Sequence, residues 1–153
     1  MPDIPEYDMP EGMSALTKSE ISQLRIKIGK SHRTEKDWMF IKNLLREKVV
    51  FTAEPIDEKY RAAYSVEGIL KDSGYLLIFT TMEGCKDFLD KHGTARFGYQ
   101  LTLGTIPFTT VVMIAYDYKE KVLLDLDTPE NGNILGIDGR DRSLHTVRVM
   151  GIR

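Results

Sequence analysis

The sequence predicts one domain of the α/β (α+β) class, a mixed sheet of about five strands flanked by helices. Three observations carry that expectation. Tyr75-Leu76-Leu77-Ile78-Phe79 is the clearest strand, and Thr80 with Glu83 sets a helix start directly behind it, which is how an α/β layer opens. Residues 49–52 and 122–126 supply two further buried strands of branched and aromatic side chains. At 153 residues the chain buries roughly 68–70% of its unfolded surface, enough for one self-sufficient core.

The elements follow in order. Residues 1–13 hold Pro2, Pro5 and Pro10 among Asp3, Glu6, Asp8 and Glu11, which disfavours helix and ladder alike, so a flexible tail is expected. Thr17 and Glu20 make a capping box, and Ile21, Leu24 and Ile28 recur at helical spacing up to Gly29. An accessory helix at about 18–28, within a segment 14–33, is predicted. The domain proper then spans 34–153. Thr34 with Asp37 is a second box, and Trp38, Ile41, Leu44 and Leu45 form the stripe of a helix that runs to about residue 47. Residues 49–52 read as a strand that Pro55 closes. Residues 67–71 fit a short helix that Gly68 weakens; the preferred reading of 53–74 is extended, turning at 71–74 through Asp72-Ser73-Gly74.

The helix opened by Thr80 and Glu83 carries Cys85, Phe88 and Leu89 on one face and stops at Gly93 after His92. Phe97, Tyr99, Leu101 and Leu103 alternate as a half-buried strand within 94–104. Pro107 suits a helix's first turn, with Phe108, Val111, Val112 and Ala115 at helical spacing. Thr109, Thr110 and the two valines fit a strand as well, so both readings of 107–118 stay open. After the strand at 122–126, Asn131-Gly132 is a hairpin turn, Ile134, Leu135 and Ile137 return, and residues 144–152 alternate as a last edge strand.

Composition excludes several functions. The 21 basic and 23 acidic side chains leave a net charge of -2, so no global field draws in nucleic acid or an anionic membrane. Cys85 is the single cysteine, which excludes an internal disulfide and a cysteine-based zinc site and matches a reducing compartment. The acidic, proline-rich start is the reverse of a secretion signal, and the longest apolar stretch, residues 111–116, falls far below the roughly 18 residues of a membrane span. A cytoplasmic protein without membrane contact is expected.

Residues 34–138 together resemble the SseB family, the bacterial serine-sensitivity enhancer proteins, in their N-terminal domain. A helix ending in Leu44-Leu45 leads into Val49-Val50-Phe51. Gly74-Tyr75-Leu76-Leu77-Ile78-Phe79-Thr80-Thr81 is similar to the family's strand ending in a Phe-Thr pair that caps the next helix, here residues 82–91. Ile106-Pro107-Phe108 opens a helix, and Val122-Leu123-Leu124-Asp125-Leu126-Asp127 resembles the strand leading to a polar turn, with Asp127-Thr128-Pro129 where the family often has Asn-Pro. The resemblance implies a mixed α/β domain without a catalytic constellation. Residues 1–33 have no counterpart in it, and the second domain of longer members has no room.

Candidate chemistry is sparse. Cys85 follows a helix start, but it shares an apolar face with Phe88 and Leu89, so packing is the simpler reading. His92 suits a helix C-terminus, and His32 and His145 stand in unrelated contexts without ligand spacing. Asp125, Asp127 and Glu130 miss the calcium-loop pattern, since Pro129 holds its fifth position and Gly136 its twelfth. The glycines form no phosphate loop and no Gly-x-Ser-x-Gly elbow. No cofactor and no metal is implied.

Charge, by contrast, is segregated. Residues 25–48 carry eight bases against three acids, a local +5, and residues 117–141 carry seven acids against three bases, a local -4. Solvated faces explain both most simply. The candidate partner surface is Arg25, Lys27, Lys30, Arg33 and Lys36, facing an unknown protein or the acidic segment of a second copy. The expected function is a non-catalytic adaptor or regulatory protein acting through protein contacts, as the resemblance implies. The alternative is a ligand-binding or enzymatic pocket at the strand carboxyl ends, near Phe79, Thr80, Thr81 and Asp127. Nucleic-acid binding through residues 25–48 ranks third, because aromatic stacking is missing there and Trp38 belongs to the apolar stripe.

Overall fold

A computed structural model of the protein describes residues 12–28, 30, 32–72, 74–92, 101–125, 134–138 and 143–147. The expected tail 1–11, the stop at Gly29, the 126–133 turn with its Asn131-Gly132 pair, and the ends of the expected strands at 94–100 and 148–152 lie outside these residues.

The chain begins with β1 (Ser14–Ala15), α1 (Lys18–Ile28), α2 (Glu35–Leu45) and β2 (Lys48–Pro55). Both capping boxes form as the sequence implies. Glu20 N–H donates to Thr17 Oγ1 at 3.1 Å and Thr17 N–H to Glu20 Oε1 at 2.9 Å. At α2, Asp37 N–H donates to Thr34 Oγ1 at 3.2 Å and Thr34 N–H returns to Asp37 Oδ2 at 3.0 Å. Leu24 and Ile28 of α1 and Ile41 and Leu45 of α2 are buried against each other and the sheet. Each such side chain removed from water stabilises the fold by about 1.5–3 kcal/mol.

The segment after β2 departs from the all-extended reading. Asp57 caps a seven-residue helix, α3 (Glu58–Tyr64), by accepting from Lys59 N–H at 3.1 Å. The extended part comes later, as β3 (Ser65–Val66) and β4 (Ile69–Asp72), joined by Glu67 and Gly68 with φ of 51° and 83°. Two consecutive positive φ values are what a tight hairpin of this twist requires, so Gly68 serves as a turn residue and not as a flaw in a helix. Then come β5 (Tyr75–Ile78), α4 (Met82–His92), β6 (Leu101–Pro107), α5 (Phe108–Tyr118), β7 (Lys121–Leu124), β8 (Ile134–Asp138) and β9 (Ser143–Val147). Residues 108–118 are thus helical: Phe108, Val111 and Ala115 are buried, and Lys119 ends the helix in a left-handed conformation at φ 57°. Burial of this stripe outweighs the poor helix propensity of Thr109, Thr110, Val111 and Val112.

The strands form not one sheet of about five but two sheets, β1-β2-β6 and β3-β4-β5-β7-β8-β9, among the described residues. β5 and β7 pair in parallel, with Leu76 opposite Val122 and Ile78 opposite Leu124, and β9 lies at the edge as expected for the last strand. The sheets meet where β4 leaves the edge of β5 and β2 takes its place. There Phe51 N–H donates to Phe79 O at 2.8 Å and Phe79 N–H to Phe51 O at 2.7 Å. Buried Thr52 completes the fork: its hydroxyl donates to Leu77 O at 2.9 Å and accepts from Leu70 N–H at 3.0 Å. One side chain thereby satisfies backbone groups of two strands that the divergence leaves without ladder partners.

Candidate functional site

The basic segment is the place to start, because it carries the largest local charge. Residues of α1 and the following loop converge on Asp37, which is 3% exposed on the first turn of α2. Lys27 Nζ lies 3.1 Å and Lys30 Nζ 2.9 Å from Asp37 Oδ1, while Oδ2 takes the Thr34 N–H. Arg33 donates to the carbonyls of Ile28 and Lys30 and stacks 5.3 Å from the Trp38 ring centroid; Lys27 sits 5.2 Å from that of Phe40. Three of the five candidate surface cations are therefore joints of the α1–α2 hairpin. Arg25, the fourth, bonds Asp125, and Lys36 alone of the five is exposed and outside every ion pair among the described residues.

These contacts set a pH dependence. The Lys30 ammonium, the Thr34 N–H and the Lys27 ammonium, in that order, hold the Asp37 carboxyl well below the usual carboxylate range. A depressed folded value stabilises the protein above the unfolded value near 4, and that stability is lost as pH falls below it. The urea midpoint of the wild type is thus expected to fall on acidification from pH 5 to pH 2.5, and Asp37→Asn to show a smaller fall from a lower starting point. Parallel curves for the two proteins would refute this role.

The carboxyl ends of β5 and β7 are the second place where charge collects. Asp125, 3% exposed and at φ 59°, follows β7 directly. Its Oδ1 accepts from Thr80 N–H at 2.7 Å, and its Oδ2 from the Thr80 hydroxyl and from Arg25 Nη2, both at 2.8 Å. Asp125 N–H also donates to Ile78 O at 2.9 Å, extending the parallel ladder by one residue. A carboxylate expected on a solvated acidic turn instead clamps two strand ends to α1. One arginine of the basic segment and one aspartate of the acidic segment thus meet within the chain.

This geometry bears on the strand-end pocket. Phe79 is fully buried with its ring 5.4 Å from that of Phe88, and Thr80 is 2% exposed with both polar groups bonded to Asp125. Thr80 does not cap α4 with Glu83. That role falls to Thr81, whose Oγ1 accepts from Gly84 N–H at 2.9 Å. Phe79 and Thr80 are thus both enclosed, and Asp127 lies outside the described residues. Cys85 is fully buried beside them; burial first, and the Asp125 charge second, push its thiol up to about 12, which makes it a packing group and not a nucleophile. His32 is exposed, and no group of three metal-ligating side chains occurs among the described residues.

The outer face of α2 is one of the surfaces available for contact among the described residues. Ile41 and Leu45 point inward, Trp38 and Phe40 flank them half-buried, and Met39, on the side opposite the core, is 56% exposed. Lys36 and Lys42 stand one turn before and after Met39, and exposed Arg46 follows the helix. This face borders a cavity of about 840 Å³, lined among the described residues by Lys36, Trp38, Met39, Phe40, Lys42 and their neighbours Glu35 and Asn43. Sequence reading placed Trp38 in the apolar stripe and passed over Met39. Its position between two lysines at a spacing of three was the available signal.

Comparisons with protein-family models, with curated proteins and with solved structures find no match to this chain. No helix among the described residues is long and apolar enough to cross a membrane.

Proposed function

We propose that this chain is a non-catalytic adaptor or regulatory protein of the SseB-like type, working in the bacterial cytoplasm through protein contacts made by the outer face of α2. The observation that carries the reading is Met39. A large apolar side chain more than half exposed, flanked by two aromatic rings and by Lys36 and Lys42, has the composition of a contact surface, where methionine and aromatics are enriched over an ordinary helix exterior. The two buried carboxylates among the described residues support the same reading. Asp37 and Asp125 are saturated with hydrogen bonds from lysine, arginine, threonine and backbone donors.

Affinity capture tests it. Wild-type bait is expected to retain a partner that Met39→Glu bait loses, while Met113→Glu, equally exposed on α5, keeps it. Both substitutions should leave unfolding within about 0.5 kcal/mol of wild type, because neither site touches the core. Equal capture by all three baits would remove the α2 face from the function.

A further inference from the structure

We infer that residues 14–28, β1 together with α1, are a strap that opens from the body as one unit while the rest of the fold stays closed. Its opening does not depend on the outer face of α2 having a partner. The backbone and apolar contacts that hold the strap are sparse. β1 pairs with β2 over two residues, Ser14 with Lys48 and Ala15 with Val49, and Ser14 N–H donates to Glu47 O at 3.4 Å, a long bond. Leu16, Leu24 and Ile28 are three of the 21 buried side chains of the core cluster, Ala15 and Ile21 pack against it in part, and Ile26 is 65% exposed. The other eighteen lie between Ile41 and Leu124, and the pairings of β2 with β6 and of β5 with β7 close without the strap. The strap precedes α2 and β2 in the chain, so its release interrupts no other described ladder.

Charge supplies the moorings. Lys48 at the start of β2 meets Glu20 Oε2 at 3.0 Å and donates to Ser14 Oγ at 3.2 Å. Arg25 reaches Asp125 beyond β7 at 2.8 Å, and Lys27 and Lys30 reach Asp37 on the first turn of α2 at 3.1 and 2.9 Å. The strap is thus tied to three separate elements by ion pairs whose cationic side chains are 17–42% exposed, so each cation has water at hand when its pair parts. An eleven-residue helix is marginal in water even with its own capping box, so α1 does not persist once it leaves its seat, and release is all or none. Opening uncovers the β2 edge at Lys48 and Val49, beside the Phe51–Phe79 bridge, and the apolar seat that Ile41 and Leu45 of α2 share with Leu24 and Ile28.

Native-state hydrogen exchange of the full chain, followed amide by amide by NMR at rising urea, tests the strap. In the wild type the amides of Ile21 to Ile28 are expected to share one opening constant, at least about tenfold larger than that of the β5 and β7 amides, with a smaller urea dependence because less surface is exposed. Ile69→Val, a small cavity in buried β4, is expected to speed exchange in β5 and β7 about fivefold and to leave the strap within about twofold of wild type. Lys27→Gln with Lys30→Gln removes both ammonium partners of Asp37 and is expected to speed the strap amides about tenfold. Strap amides that match β5 and β7 in rate and urea slope, or that grade from one end of α1 to the other as fraying does, overturn the inference. So does a strap that Ile69→Val accelerates as much as it does β5, or that the lysine substitutions leave unmoved.

Discussion

Asp125→Ala is expected to lower the stability of the folded protein by about 3 kcal/mol, or roughly 10 °C in Tm for a chain of this size. Two effects add. The Thr80 amide and hydroxyl lose their acceptor in a place where water does not reach them, since Thr80 is 2% exposed. Alanine must also hold the left-handed conformation at φ 59°, which aspartate and asparagine tolerate better than other side chains. Arg25 adds little, because its side chain is 27% exposed and its freed charge can turn to solvent. The substitutions then separate by mechanism. Asn keeps the backbone preference and one acceptor, Gly relieves the backbone and supplies no acceptor, and both are expected to fall between wild type and Ala. Urea unfolding with an unchanged m-value measures the order. An Ala variant within about 1 kcal/mol of wild type would show that the clamp between the strand ends and α1 is not a source of stability.

The features legible in the sequence are those written over three or four residues. Thr17 with Glu20 and Thr34 with Asp37 close their boxes by contacts between near neighbours, so the starts of α1 and α2 follow from spacing. The run Tyr75 to Phe79 is similarly self-evident, as is the return of β8 onto β7, which pairs Val122 with Ile137. Thr80 shows where this local logic ends. Its spacing to Glu83 is that of a capping box, yet a carboxylate 45 residues away binds it, and the cap passes to Thr81. Arg25 is a harder case, since its partner lies 100 residues away and a lone arginine at a helix surface reads as solvated.

α3 went unread for a different reason. Asp57 is a good cap, but seven residues carry too short a stripe to stand out, and among the helix's described side chains Tyr64 alone packs against the core, half-buried. The fork between the sheets was hidden because an apolar run reveals that a strand is buried, not which strands flank it. For the α2 face the residues were all visible. What the sequence lacked was the information that Lys27, Lys30 and Arg33 turn inward to Asp37, Phe40 and Trp38, leaving Lys36, Met39 and Lys42 outside.

Phe79→Ala should have an effect of similar size through packing alone. Phe79 is fully buried, lies against Phe88 of α4, and belongs to the backbone bridge with Phe51 that joins the two sheets. Truncating a core phenylalanine costs about 3–5 kcal/mol, the transfer of the ring plus the cavity it leaves. Cys85 offers a direct readout on the same helix, one turn before Phe88. Its thiol is enclosed and pushed up to about 12, so iodoacetamide at pH 8 reaches a thiolate only when α4 opens from the sheet. If opening becomes easier by about 3 kcal/mol, alkylation accelerates by about two orders of magnitude. Phe79→Leu, which refills most of the space, should accelerate it tenfold or less, at a cost of about 1 kcal/mol. A Phe79→Ala protein with a lowered melting point and unchanged alkylation would mean that α4 stays closed over Cys85 without this ring. The enclosure would then rest on Leu89 and the strand backbone, and the Phe79–Phe88 contact would count only toward the junction of the sheets.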